Sequence, residues 1–398
     1  MQTIRLRIEK YAPPGNGLGF YQGKAVFVPL AALGDELLVK IEKEKKNYVI
    51  GSLEEIIQPG PERRPAACPH YAECGGCDFL HFSYSEQLRL KKMIFNELLG
   101  RAGCDREVVA RTEITASPRQ VAYRHRALFH RQGQNEVFGF LKRRSHQVIA
   151  VPDCLVLAAG LRRLLQEISL RKNLPEESET LYGLTNRAGD FAAQALIGKR
   201  RLALSGIAET VWENYGDGEL ELAASGFAQA NPEITKLMAK DLLLYCRGCE
   251  NVAELYGGSG TFSLSLAAIA REVRVFESDL EAGARGRRNA VRNGCENLTF
   301  IGERVERLRL PPHCDTVVVD PPRSGLDLRV VEKILASGAE CLVYISCNPA
   351  TLARDLGRLT KERRAFGLQA LKTYDMYPGT THLEAMAVLR RFVKARRS

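Results

Sequence analysis

From about residue 226 onward the chain alternates short apolar runs with amphipathic stretches, and one of those runs empties into a glycine-rich turn. That pattern restricts the fold more than any other feature. Asn251-Val252-Ala253-Glu254-Leu255-Tyr256 reads as a strand, Gly257-Gly258-Ser259-Gly260 as a turn, and the stretch from Thr261 to Ala267 as a helix start. Strands and helices alternating at this spacing build a doubly wound, Rossmann-like parallel sheet. Glycines at a strand-to-helix turn let the backbone approach a bound ligand closely. The next strand, Val273-Arg274-Val275-Phe276, delivers Glu277, a carboxylate placed to accept hydrogen bonds from both hydroxyls of a ribose. The cofactor class is therefore adenosine-containing, either NAD or S-adenosylmethionine. The G-x-G-x-x-G order of dinucleotide folds is absent, and Glu254 at the loop entrance suits a cationic methionine end better than a pyrophosphate. Both features favour S-adenosylmethionine.

Two later strands carry reactive groups. Thr316-Val317-Val318-Val319 ends in Asp320-Pro321-Pro322-Arg323-Ser324-Gly325, and the apolar run through Tyr344-Ile345-Ser346 ends in Cys347-Asn348-Pro349. Ligands of open α/β sheets bind beyond the carboxyl ends of the strands. A thiol and a carboxylate delivered there together point to covalent chemistry on a substrate. A lone cysteine is more often a small buried hydrophobe; the company of Asp320 and the glycine loop shifts the balance. A helix starting after Pro349 is expected to lower the thiol pKa of Cys347.

The first 58 residues read as a small all-β unit with strands around Thr3–Ile8, Lys24–Val28 and Glu36–Ile41 and a Gly/Pro turn at Pro13–Gly17. Short strands split by such turns fit an OB-like barrel. Residues 59–225 form a strand-rich central region entered through Pro59-Gly60-Pro61, with an amphipathic helix at 83–100 that is expected to pack on the domain of residues 226–398. Early in this region lie Cys68, Cys74 and Cys77, three thiols in a loop curled by Gly75 and Gly76. The set reads as a metal site lacking one ligand, with Cys154 or His70 as the fourth; four thiolates favour a 4Fe–4S cluster, three with a histidine favour zinc.

The net charge is +10, which fits a polyanionic partner. Much of the positive charge falls in one stretch, Arg124, Arg126, Arg131, Lys142 and Arg143, interleaved with Tyr123, Phe129, Phe138 and Phe140. Arginines hold phosphates and aromatics stack on unpaired bases; a plain hairpin with solvated charges has the same pattern. No apolar run approaches the ~20 residues of a membrane-spanning helix, and no signal peptide is evident. A cytosolic chain with reduced cysteines is expected.

Taken together these motifs resemble the RNA uracil-5 methyltransferases, in particular the 23S rRNA (uracil-C5) enzymes with a TRAM domain and an iron–sulfur cluster. The resemblance covers nearly the whole chain. Gly15-x-Gly17 through Phe27-Val28-Pro29 and Gly34-Asp35 is similar to TRAM, an OB-type RNA-binding module. Gly226-Phe227-Ala228-Gln229-Ala230-Asn231 is similar to the family's F-x-Q-x-N segment, and Leu255–Phe262 to its L-Y-C-G-x-G-x-F motif, with Gly257 in place of Cys and Thr261 where relatives often carry Asn. Ser346-Cys347-Asn348-Pro349 and His382-Leu383-Glu384 are similar to its nucleophile and C-terminal H-x-E motifs.

The resemblance implies methyl transfer from S-adenosylmethionine to carbon 5 of a uridine, most simply in 23S rRNA. Cys347 is then the nucleophile at carbon 6, Glu384 the base for the carbon-5 proton, and Asp320 orients uracil or cofactor. Cofactor contacts fall on Gln229, Tyr256, Gly258, Gly260, Thr261, Glu277 and Asp320, cluster ligation on Cys68, Cys74, Cys77 and Cys154, and RNA contacts include Arg323. A monomer is expected. A tRNA uridine is the alternative target, and a non-catalytic iron–sulfur RNA-binding protein is the alternative class. Cytosine-5 methylation is disfavoured, because no Pro-Cys motif stands where Asp320-Pro321-Pro322-Arg323 does.

Overall fold

A computed structural model describes residues 2–131, 138–171, 180–216, 218–362 and 365–392. Its largest element is an eight-stranded sheet. Five parallel strands run in the order Leu298–Ile301, Glu272–Phe276, Asn251–Leu255, Thr316–Val319, Cys341–Ser346. Chain order reverses between Asn251–Leu255 and Thr316–Val319, which opens a crevice at their carboxyl ends. Glu384–Arg391 then adds antiparallel to Cys341–Ser346, and Phe366–Tyr374 adds outside it.

Alternate residues of the central strands feed two cores. Val252, Val273, Val318 and Val343 pack with Ile234, Met238 and Leu242 of the helix Pro232–Tyr245. Ala253, Val317, Leu342 and Tyr344 pack with Val330 and Ile334 of Leu328–Ala336 and with Leu352 and Leu356 of Pro349–Gly357. Both faces are covered, so the strands read as continuous apolar runs rather than as alternation.

The helix predicted at 83–100 spans Tyr84–Arg101, capped by the Ser83 hydroxyl, which accepts from the Glu86 N–H at 3.2 Å. Its Phe95 and Leu99 enter the second core of the large sheet. The strand that follows, Glu113–Thr115, pairs in parallel with Phe366–Tyr374 and forms the eighth strand. This segment therefore joins the C-terminal sheet, through a pairing between distant stretches of chain that local sequence pattern cannot display.

The middle sheet is antiparallel, in the order Val148–Ala150, Phe138–Leu141, Arg126–Arg131, Thr180–Thr185, Phe191–Ile197, Arg200–Ala203. One helix, Ala159–Leu170, lays Leu161, Leu164, Leu165 and Ile168 on its inner face.

The N-terminal unit is a closed barrel. Thr3–Arg7 pairs with Glu36–Glu44, and the same chain continues as Lys10–Ala12, which pairs with Asn16–Tyr21. One bent strand thus bridges both edges. Asp35, fully buried, accepts from the backbone of Ala32 and Gly60 and pairs with Arg63 at 2.6 Å, which locks the barrel to the segment leaving it. Among the described residues no helix is long and apolar enough to cross a membrane.

Candidate active site

Strand register brings the catalytic candidates together. Val319 sits beside Tyr344 in the parallel pair, so Asp320 and Cys347 emerge at the same end of the sheet. The last strand runs antiparallel with Ala385 opposite Ser346, so its first residue, Glu384, arrives at that end too. Cys347, Glu384 and Asp320 line one cavity of about 640 Å³. Gln229, Tyr256, Gly258, Glu277, Arg124, Arg126 and Arg323 line it as well.

The loop Asp320–Gly325 is stitched to the helix behind Cys347. The carbonyl of Arg323 accepts from the Asn348 amide at 3.0 Å and the Thr351 hydroxyl at 3.3 Å, and that of Ser324 from Arg354 at 2.8 Å. Asn348 also caps the helix, accepting from the Ala350 N–H at 3.1 Å. On the cofactor side the two Glu277 oxygens accept from the N–H groups of Gly258 at 3.0 Å and Asp279 at 2.7 Å. Gln229 donates to Asp320 at 3.4 Å. Tyr256 holds a φ of +64°, a strained conformation for a bulky residue at the mouth of this loop.

Burial sets the acid–base character. Desolvation raises the Asp320 carboxyl to about 7. Desolvation, and then the nearby Asp320 charge, push Glu384 well above the usual carboxylate range, with Arg323 opposing. A carboxylate raised this way binds a proton more strongly than an exposed one, which is what a general base needs. The Cys347 thiol departs from the expectation of a lowered pKa. Burial, then the Glu384 charge, raise it to about 11, and only Arg323, by its charge and a hydrogen bond to the sulfur, pulls it down. Cys347 precedes the helix cap, and desolvation outweighs the helix end.

Other sequence candidates take different places. Gly260 and Thr261 do not line the cavity; a Cβ on Gly260, at φ +98°, would meet the Phe300 ring at 3.1 Å. Glu254, read as a partner for the cofactor's cationic end, lies outside the lining, accepts from the Ser263 hydroxyl, and is pushed by burial to about 8. At Gly257, where the family that the chain resembles usually has Cys, a Cβ would stand 2.3 Å from a Val275 methyl. Asn231 caps Pro232–Tyr245 and donates to Ser117 at 3.0 Å.

Lys142 pairs with Glu73 at 3.1 Å, and Arg143 with Asp78 at 2.7 Å and with the Cys74 and Cys77 carbonyls, so both side chains touch the cysteine loop. Arg131 does not line the cavity. Tyr377 and Thr380 do, and sequence reasoning missed them. They lie on the turn entering the Glu384 strand, and nothing in their spacing marks them before the strand order is known.

Cys68, Cys74, Cys77 and Cys154 border a second cavity, together with His70 and apolar walls that include Tyr71, Phe140 and Leu157. Gly76 and Arg124 line both cavities. Among the described residues no three His, Cys, Asp or Glu side chains form a group able to hold a metal ion.

Comparison with known proteins agrees with this geometry. The tRNA (Uracil-5-)-methyltransferase profile matches residues 217–392, and the TRAM profile matches residues 1–53. A 23S rRNA (uracil(1939)-C(5))-methyltransferase of Vibrio parahaemolyticus is 31% identical, with 96% of this chain and 95% of the relative covered. The chain belongs to the RNA uracil-5 methyltransferases. An RNA methyltransferase of Halalkalibacterium halodurans is 30% identical over 97% of this chain and 96% of its own length. The crystal structure of a Pyrococcus abyssi tRNA (uracil-54, C5)-methyltransferase with S-adenosyl-L-homocysteine superposes with a TM-score of 0.77 at 23% identity, covering 97% of this chain and 99% of that one. That likeness extends to all three parts of the fold. S-adenosylmethionine is the methyl donor of this family.

Proposed function

We propose that this methyltransferase modifies carbon 5 of a uridine in 23S rRNA through a covalent adduct on Cys347. The observation that carries the reading is the meeting of Cys347, Glu384 and Asp320 in one cavity with Gln229, Gly258 and Glu277. Carbon 5 of uracil is too weak a nucleophile to take a methyl group unaided. Cys347 adds to carbon 6, and the ring becomes an enolate with charge available at carbon 5. S-adenosylmethionine, when bound, supplies the electrophilic methyl group. Glu384 then takes the remaining carbon-5 proton, the electron pair restores the C5–C6 double bond, and the Cys347 thiolate leaves. Asp320, held near Gln229, orients the uracil. Arg323 favours the thiolate by its hydrogen bond to the sulfur. The uracil must leave any base stack to reach Cys347.

Four thiolates are the donor set of a 4Fe–4S cluster, and we assign one to Cys68, Cys74, Cys77 and Cys154, which border one cavity but in this arrangement are not gathered into a ligating group, so the loop of residues 68–77 would close around it on loading. Those four residues would hold the cluster, which would cross-link the loop of residues 68–77 to Cys154. The rRNA assignment rests on the relative of Vibrio parahaemolyticus. A tRNA uridine is the second reading, favoured by the name of the matched family profile. We take the enzyme as a cytosolic monomer.

Incubation with labelled cofactor and separate unmodified 23S rRNA and tRNA tests the reading. Label on one rRNA uridine, lost in Cys347→Ala, is expected. Transfer to tRNA alone overturns the rRNA assignment, and no transfer to either by folded, cofactor-binding protein overturns catalysis.

A further inference from the structure

Three consecutive residues of the turn between the last two strands are held by side chains from far earlier in the chain. Lys91 donates to the Tyr377 carbonyl at 2.9 Å, and the Tyr123 hydroxyl to the Pro378 carbonyl at 2.9 Å. The Gly379 N–H donates to the Gln87 side-chain oxygen at 2.8 Å. The Gly379 carbonyl accepts from the N–H groups of Asp78 and Phe79, the two residues after Cys77, at 2.9 and 2.8 Å. All three side chains are buried: Gln87 is 6% exposed, Lys91 1% and Tyr123 2%. Lys91 also pairs with Asp375 at 2.5 Å, with both side chains wholly out of solvent. At Gly379 the backbone takes φ +80°, and a Cβ would lie 2.7 Å from the Leu80 side chain, so this turn accepts no larger residue without rearrangement.

Such an array is a costly way to fill a core. A buried ammonium loses several kcal/mol of hydration, and apolar packing of equal volume is often as stable. What satisfied buried polar groups do fix is one backbone arrangement, since each is left unpaired in any other. The opposite side of this turn faces the catalytic cavity through Tyr377, Thr380 and His382, and Glu384 follows two residues later.

We propose that Gln87, Lys91 and Tyr123 are positioning residues that act through the Tyr377–His382 turn to aim Glu384 at the carbon-5 proton. The proposal rests on the reading of Glu384 as the base. The step it governs is the last one: the proton passes from carbon 5 to Glu384, the C5–C6 double bond re-forms, and the bond from carbon 6 to the Cys347 sulfur breaks. The backbone after Cys77 holds the same turn, so two hydrogen bonds tie the cysteine loop to the segment that leads into Glu384.

Tyr123→Phe removes one oxygen atom, and Gln87→Leu one amide. Each is expected to lower kcat by on the order of tenfold to a hundredfold, as small misplacements of a catalytic group do, with KM for the cofactor unchanged. Gln87→Glu keeps the acceptor for Gly379 but loses the donor that Gln87 offers the Phe82 carbonyl at 3.3 Å, so it should recover part of the loss. In single turnovers the slow variants should accumulate RNA joined to Cys347, seen as an SDS-stable band carrying label from the cofactor's methyl group. A purely structural role would slow turnover without that band, and this result, or wild-type rates in both variants, overturns the proposal. Glu384→Gln is the reference. If it fails to accumulate the band, the assignment of the base has failed; if it accumulates the band and the positioning variants do not, the positioning has failed.

Discussion

The two cavities share a wall at Gly76 and Arg124, and both bury groups that titrate. In the catalytic cavity the groups come from three distant strands, and burial raises both carboxyls, Asp320 to about 7 and Glu384 well above the usual carboxylate range. In the cysteine cavity three of four thiols come from one ten-residue loop, and burial works against the ionised form. Cys77 is raised to about 12 by desolvation and then by the charges of Cys154 and Cys74, and Cys74 and Cys154 move the same way. Desolvation thus raises the carboxyls that the proposed mechanism uses in one cavity, and in the other it opposes the ligation proposed there. A cation between the thiols reverses that opposition, and metal binding then couples to folding.

The largest effect expected is that of Cys347→Ala, which should abolish both methyl transfer and the covalent RNA band, with cofactor affinity kept when measured by calorimetry. Next, Glu384→Gln should cut turnover by ~10²–10⁴-fold, the usual contribution of a general base, while the methylated adduct builds up. Replacing Cys77 or Cys154 by Ser attacks the other cavity. The purified variants should lose iron and visible absorbance and melt several degrees lower by circular dichroism, and retained iron would remove the cluster assignment.

Asp320→Asn separates stability from activity. The carboxyl of Asp320 is raised on folding, so the stability it contributes is full below about pH 4 and is lost as pH rises through about 7. The variant should therefore lose activity yet gain stability at pH 8 relative to pH 5, by on the order of a few kcal/mol, because each tenfold change in proton affinity on folding is worth ~1.4 kcal/mol. Denaturant melts of variant and wild type at the two pH values measure it. Wild-type turnover should rise with pH, because base and nucleophile both act deprotonated and both are raised. The smallest effect is expected from Lys142→Ala. Its pair with Glu73 is substantially exposed, so stability should change by less than about 1 kcal/mol, with iron content intact.

Sequence alone carried much of this. The run into Gly257–Gly260 and the Glu277 that follows are local signals, since a βα turn around a cofactor is built from contiguous residues. Asp320 and Cys347 were legible because each ends an apolar run, and a strand buried on both faces shows such a run whatever its neighbours are. The three-cysteine loop was legible for the same local reason. Lys142 and Arg143 were harder to place: charge says nothing about whether a side chain faces RNA or its own loop.

What only the tertiary structure decided is which distant groups meet. The antiparallel last strand puts Glu384 beside Cys347, the parallel pairing of Glu113–Thr115 draws a stretch of the middle region into the catalytic sheet, and Gln87, Lys91 and Tyr123 converge on one turn. The Cys347 thiol runs against the helix-end expectation for a related reason. A helix end can be read from sequence, but the desolvation that outweighs it depends on everything packed around the sulfur. Local patterns determine which residues carry chemistry; long-range pairing and burial determine their partners and protonation.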